Sequence, residues 1–260
     1  VGIAEQNMAG IAAGLATCGY IPFMSSFAVF SPGRNFDQIR VLIAQPALPV
    51  KIVSTHAGIT VGEDGISAQA IEDIALMRAL PNMGVVVPAD ATETRQVVRA
   101  IVDLPGPVYV RLGRSPVPVV FGDDYVFQYG KASKVREGSD ATVIACGIMV
   151  AEALEAAEAL AGEGIEVRVL NMATIKPLDV EAVVAAATET GAVVTAEEHN
   201  VLGGLGSAVA EVLGEHAPVP MRRVGIQDTN AESGSPRDLM EKYGLTSRHI
   251  AIAVKEVLRR

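Results

Sequence analysis

Tryptophan is absent from these 260 residues, and the three large aromatics together make up only 4% of them. A core must then be filled by Ala, Val, Ile and Leu, and two phenylalanines close together in a loop stand out. Cysteine occurs twice, as Cys18 and Cys146, far apart and inside apolar runs. That spacing offers neither a CxxC pair nor a disulfide framework, and both read as buried thiols of a reducing compartment. The histidines His56, His199, His216 and His249 share no ligand spacing, so no protein-held metal site is expected. No GxSxG elbow for a nucleophilic serine is present. No apolar run reaches the ~20 residues of a membrane span, and no signal peptide is recognisable. A formal charge of −9, without any basic run to offset it, argues against nucleic acid as a partner. The expectation is a soluble, cytoplasmic chain with neither a nucleic-acid nor a membrane partner.

What is present is an alternation. Half the residues are hydrophobic, enough for one large or two ordinary cores. A helix is expected from Ala4 to Thr17, then strands at Tyr20–Met24, Val50–Ser54, Gly84–Val87 and Val108–Leu112. Amphipathic helices fall between them, at about Arg34 to Ala44, around Ile71–Arg78, and from Glu93 to Val102. After a Pro- and Gly-punctuated stretch the alternation resumes. Strands are expected near Thr142–Ala145, Val167–Leu170, Ala192–Thr195 and Met221–Val224, with helices between and after them. Such patterns give mostly parallel sheets flanked by helices. The fold class is therefore α/β in two domains, residues 1–116 and 139–260, joined by a linker at 117–138. The chain opens without Met on what reads as a strand end entering a helix, so part of a first βα unit is expected upstream of Val1.

Open parallel sheets collect ligands beyond the carboxyl ends of their strands. Glu5, His56, Asp64 and Arg111 all fall at such positions. Glu5 stands at the mouth of an apolar helix with little polar company. It is either a carboxylate satisfied by the helix dipole, or an acid partly desolvated so that it shares a proton with a ligand nitrogen. His56 ends a strand and precedes a glycine-rich loop carrying Glu63 and Asp64, which suits proton exchange with hydroxyls. Alone it is a satisfied structural histidine as readily. Arg111 and Arg114 flank Leu112-Gly113 and suit a phosphate or carboxylate, against surface ion pairing. Phe27 and Phe30 are core residues or a stacking surface. The turn Gly203 to Ser207 before a helix either packs closely or holds an anion on its amides.

Taken together, these residues resemble the thiamine-diphosphate enzymes of the transketolase type. Gly2-Ile3-Ala4-Glu5-Gln6 is similar to the start of the family's pyrimidine-binding helix, whose glutamate hydrogen-bonds the aminopyrimidine N1′ and activates the cofactor. By that likeness Glu5 is catalytic and cofactor-binding, and Phe27 and Phe30 are the aromatic pocket. A third aromatic of the family has no match, since Pro32-Gly33 stand there. Thr55-His56 with Gly62-Glu63-Asp64-Gly65 resembles the substrate loop, which implies that His56 and Asp64 contact sugar hydroxyls and that His56 takes part in proton transfer. Arg111, aided by Arg114, would bind the sugar-phosphate end. Ala68 replaces a histidine that usually touches substrate, so an altered sugar preference is implied.

The family's GDG motif with its downstream Asn is missing. The resemblance therefore implies the C-terminal subunit of a split transketolase. A separate N-terminal subunit would hold Mg²⁺ and the diphosphate, and the two would assemble as α₂β₂. The implied activity is transfer of a two-carbon ketol unit between sugar phosphates. The rival readings are a subunit like the β subunit of a 2-oxoacid dehydrogenase or like deoxyxylulose-phosphate synthase, or a non-catalytic interaction subunit. Glu198 and His199 are expected to be structural or to lie at an interface.

Overall fold

The alternation folds into two five-stranded sheets. The computed structural model describes residues 1–259. The first part of the chain runs through α1 (Glu5–Thr17), β1 (Phe23–Met24), a helical stretch built from Val29–Arg34, α2 (Phe36–Gln38) and Ile39–Ala44, then β2 (Lys51–Ser54). A short helical turn at Ile59–Asp64 follows, then α3 (Asp73–Ala79), β3 (Gly84–Val86), α4 (Ala91–Val102) and β4 (Val108–Arg111). The second part contributes β5 (Ser133–Arg136), β6 (Ala141–Ala145), α5 (Met149–Ala161), β7 (Val167–Asn171), β8 (Thr174–Lys176), α6 (Val180–Thr190), β9 (Val193–Asn200), α7 (Leu205–His216), β10 (Met221–Ile226), α8 (Pro236–Lys242) and α9 (Ser247–Leu258).

Strand order is β1-β2-β4-β3-β8 in one sheet and β10-β9-β6-β7-β5 in the other. All neighbours are parallel except the edge pairs β3–β8 and β5–β7. The α/β reading with mostly parallel sheets flanked by helices holds. Helices on both faces bury the central strands completely, as in β4 and β6, which is why those strands read as near-continuous apolar runs. Side-chain caps set helix starts: Asp90 accepts from the Glu93 N–H at 2.8 Å ahead of α4, and Asp179 accepts from the Ala182 N–H at 3.2 Å ahead of α6.

Four expectations need correction. The strand at Tyr20–Met24 shrinks to Phe23–Met24. Helical backbone begins at Val29, upstream of Arg34, and is interrupted at Ser31, whose extended φ/ψ is what a following proline imposes. Cys146 is buried as expected, but Cys18 is exposed because it lies just past the end of α1. Two edge strands escaped the pattern. Ser133–Arg136, in the stretch read as linker, pairs with β7, and Thr174–Lys176 crosses to pair with β3. Both are short, and β5 carries Lys134 and Arg136, charges suited to an edge.

The β8 crossover ties the two parts together. Lys176 Nζ donates to the carbonyls of Arg78 (2.9 Å) and Leu80 (2.5 Å) at the end of α3. One apolar cluster runs through both, from Ala9 and Ile43 to Val183 and Leu205.

Candidate active site

Glu5 is the first residue of α1 and is buried, with 7% of its surface exposed. It is not the isolated acid of the sequence reading. Its carboxylate accepts from Arg34 Nη1 at 2.9 Å, and its backbone carbonyl accepts from Asn35 Nδ2 at 3.0 Å. Arg34 reaches it because the helical turn after Ala28 carries it back under α1. The Arg34 guanidinium also lies 4.6 Å from the Phe30 ring centroid. Phe30 in turn stacks on Phe27, centroids 5.9 Å apart, and Phe27 stacks on the His56 imidazole at 3.6 Å with 11° between planes. Glu5, Arg34, Phe30, Phe27 and His56 thus form one unbroken row. Phe27 and Phe30 are half-buried, as a stacking surface and not a core pair.

His56 is held in the left-handed region, φ +56°, just past β2, and its Nδ1 lies 2.9 Å from Thr55 Oγ1. Partial burial and the Arg114 cation lower its pKa below the ordinary 6.5, against an opposing pull from Asp64. Asp64 is exposed on the loop, with a carboxylate oxygen 4.0 Å from Arg114 Nη1. Arg114 donates to the Val61 carbonyl at 2.5 Å and reaches Glu63 at 3.3 Å. It is the exposed arginine of the pair, facing the loop that carries Asp64.

Arg111 differs from the expectation for a phosphate ligand. It is buried, its Nε donates to Asp73 Oδ2 at 2.8 Å, and its Nη2 donates to the carbonyls of Glu198 (2.9 Å) and Ala70 (3.3 Å). Tyr109 donates to the same Asp73 oxygen at 2.6 Å. Burial would pull the guanidinium pKa down, but the Asp73 and Glu198 carboxylates more than reverse this and hold it charged. Arg111 is thus paired with Asp73 and the Glu198 carbonyl, while Arg114 is the more exposed of the two arginines.

The loop Ile59–Asp64 is held from beneath by the second part of the chain. Glu198 accepts from the Thr60 N–H at 2.7 Å, Ser233 donates to the Glu63 carbonyl at 2.5 Å, and Gln69 Nε2 donates to the Glu232 carbonyl at 3.0 Å. Gly58, at φ +85°, passes so close to Glu198 that a Cβ there would overlap its carboxylate. Burial raises the Glu198 pKa, while Arg111 and the Thr60 N–H oppose the rise. At the turn Gly203 to Ser207 the chain's own groups take three amides: Glu197 accepts from Leu205 N–H (2.7 Å) and Gly206 N–H (2.8 Å) at the start of α7, and Ser207 Oγ accepts from Gly203 N–H (2.8 Å). Glu198 and His199 are buried in this framework. Among the described residues no three His, Cys, Asp or Glu converge as a metal site would need. Also among the described residues, no helix is long and apolar enough to cross a membrane.

Arg34, Asp73 and Gln69 escaped sequence reasoning. Arg34 follows Phe30 by four residues, but the extended Ser31 and Pro32 between them break the helix, so no helical spacing announces the contact.

The chain belongs to the transketolase family. The family model for the "Transketolase, pyrimidine binding domain" matches residues 1–119, and that for the "Transketolase, C-terminal domain" matches residues 130–250. The chain is 50% identical, over its full length and 81% of the relative's, to the 6-deoxy-6-sulfo-D-fructose transketolase subunit SqwH of Clostridium sp.. It is 47% identical to a putative transketolase C-terminal section of Methanocaldococcus jannaschii, again over its full length and 82% of that protein. A solved structure described as "Split gene transketolase, inactive beta4 tetramer" superposes with a TM-score of 0.95 at 56% identity, covering 100% of this chain and 83% of that one.

Proposed function

We propose that this chain is the pyrimidine-binding and C-terminal part of a two-chain transketolase, with units 1–116 and 139–260 joined by 117–138. It would transfer a two-carbon ketol unit between sugar phosphates with thiamine diphosphate. The observation that carries this reading is the row from Glu5 to His56. It puts a buried carboxylate, an aromatic platform and an imidazole along one surface. The row fits the cofactor's aminopyrimidine, because Glu5 and Phe30 already accommodate a planar N–H donor in the guanidinium of Arg34.

Glu5 would hold the aminopyrimidine through a hydrogen bond, and Phe27 and Phe30 would stack on it. When bound, the cofactor supplies the nucleophilic carbon and electron sink for breaking and making the carbon–carbon bond. Glu5 would hold and return a proton at the ring nitrogen. His56, largely neutral at pH 7, is suited to accept and donate protons at a substrate hydroxyl beside the Phe27 stack. Asp64 would orient further hydroxyls, and Arg114 would bind the phosphate or another anionic end of the sugar. Mg²⁺ and the diphosphate are assigned to a partner subunit, in keeping with relatives named as subunits, and the beta4 tetramer of the solved relative supports self-association. Ala68, buried beside the loop, leaves the choice of sugar to other groups.

The experiment is reconstitution with the diphosphate-binding subunit and a ketol-transfer assay across phosphorylated and other anionic sugars. Glu5→Gln is expected to leave the thermal midpoint nearly unchanged and abolish transfer. Retained turnover in that variant refutes the reading, and release of CO₂ from pyruvate by the wild-type complex redirects it to the 2-oxoacid enzymes.

A further inference from the structure

The guanidinium of Arg34 does two things at once. Its Nη1 donates to Glu5 Oε2 at 2.9 Å, and its plane carbon lies 4.6 Å from the Phe30 centroid. These are the two contacts that the functional reading asks of an aminopyrimidine: a hydrogen bond to the carboxylate and an aromatic face to stack on. A guanidinium and an aminopyrimidine are alike in being flat, delocalised and edged with N–H donors. An aminopyrimidine that takes Oε2 and the Phe30 face on which Arg34 lies competes with Arg34 for both contacts. The two ends of the contact are also unequally buried. The Glu5 side chain is 9% exposed, whereas that of Arg34 is 43% exposed, so Arg34 can rotate into water without uncovering the core. The carboxylate, by contrast, is fixed at the helix start and always needs a donor.

We propose that Arg34 is a resident stand-in for the aminopyrimidine ring, a cofactor-gating residue that satisfies Glu5 and must yield its place when thiamine diphosphate binds. This rests on the transketolase reading above and assigns to Arg34 a role in cofactor affinity that none of its neighbours duplicates. The other stacking contacts of the row are those of Phe27 with His56 and with Phe30, and neither involves Arg34. Displacement costs one partly exposed ion pair and one cation–π contact. The cofactor meets that cost as lost affinity, in the way a minor binding-competent population lowers apparent affinity.

The test is calorimetric titration of thiamine diphosphate with Mg²⁺ into the complex reconstituted with the diphosphate-binding subunit, for wild type, Arg34→Ala and Arg34→Lys. Removing the stand-in is expected to tighten cofactor binding about tenfold, the scale of the two contacts combined. Lysine keeps the charge for Glu5 but gives up the planar stack, so Arg34→Lys is expected to fall between. Thermal midpoints of each free chain monitor folding, and the lysine variant carries the test if the alanine variant unfolds. Unchanged or weaker cofactor binding in the folded variants overturns the proposal and makes Arg34 a supporting partner of Glu5. A wild-type complex that binds no thiamine diphosphate defeats the functional reading itself.

Discussion

The imidazole of His56 lies flat on the ring of Phe27, centroids 3.6 Å apart, on a backbone held at φ +56°. The stack fixes the ring plane, and the left-handed backbone fixes where the side chain leaves the strand end. Arg114 and Asp64 then act on its proton affinity with opposite signs. A histidine whose folded pKa lies below 6.5 stays neutral while the unfolded chain takes up a proton. Stability associated with this group is therefore complete above about pH 6.5 and declines as pH falls through that value. Titration of the His56 ring proton by NMR should show an apparent pKa below the ordinary histidine value. Asp64→Asn should lower it further, and Arg114→Gln should raise it.

The two arginines of the Arg111–Arg114 segment should separate cleanly. Arg114→Gln is expected to raise KM for phosphorylated sugars by about 10- to 100-fold, the scale of a charge-assisted contact, with the thermal midpoint nearly unchanged. Arg111→Met strips a buried carboxylate of its partner and should cost stability by about 3–5 kcal/mol in denaturant titration. Similar KM effects from both substitutions, with both variants stable, would refute the division of roles.

Asp73 and Arg111 form a buried pair shared with Tyr109. Asp73→Leu alone leaves the guanidinium buried without its carboxylate and should be destabilising by about 3 kcal/mol or more. Combined with Arg111→Met, the loss should be smaller than the sum of the single losses, because neither charge is then left unpaired. Additive losses in a double-mutant cycle would show that the pair is not coupled.

Gly58 meets Glu198 at the junction of the two sheets. Gly58→Ala asks a Cβ to occupy the carboxylate's place at positive φ, so a loss of about 2 kcal/mol or more is expected in chemical denaturation. Glu198→Gln keeps the acceptor for the Thr60 N–H, and the carboxylate it replaces is already disfavoured by burial. That change should cost only about 1 kcal/mol, whereas Glu198→Ala should cost about 1–3 kcal/mol and loosen the loop, raising amide exchange at Thr60.

Much of this protein is local and therefore legible in one dimension. Periodicity marks the buried strands, because a parallel strand covered on both faces needs a continuous apolar run, as Val108 to Val110 and Val143 to Ala145 show. Glu5, Phe27, Phe30 and His56 stand out by chemistry at element ends, and they do lie in one row. Edge strands β5 and β8 do not stand out, since three or four residues paired on one side carry no period of their own.

The sequence by itself determined the two-sheet α/β class and the set of chemically capable side chains, through patterns a few residues long. Only the tertiary structure decided which of them face each other. It buried Arg111 against Asp73 and left Arg114 on the rim, filled the amides at the start of α7 with Glu197, and set Arg34 between Glu5 and Phe30. The physical reason is that a charge's role depends on its partner and its access to water. Those partners lie far away along the chain, 87 residues for Arg111 and Glu198 and 138 for Glu198 and Thr60, where no local pattern records them.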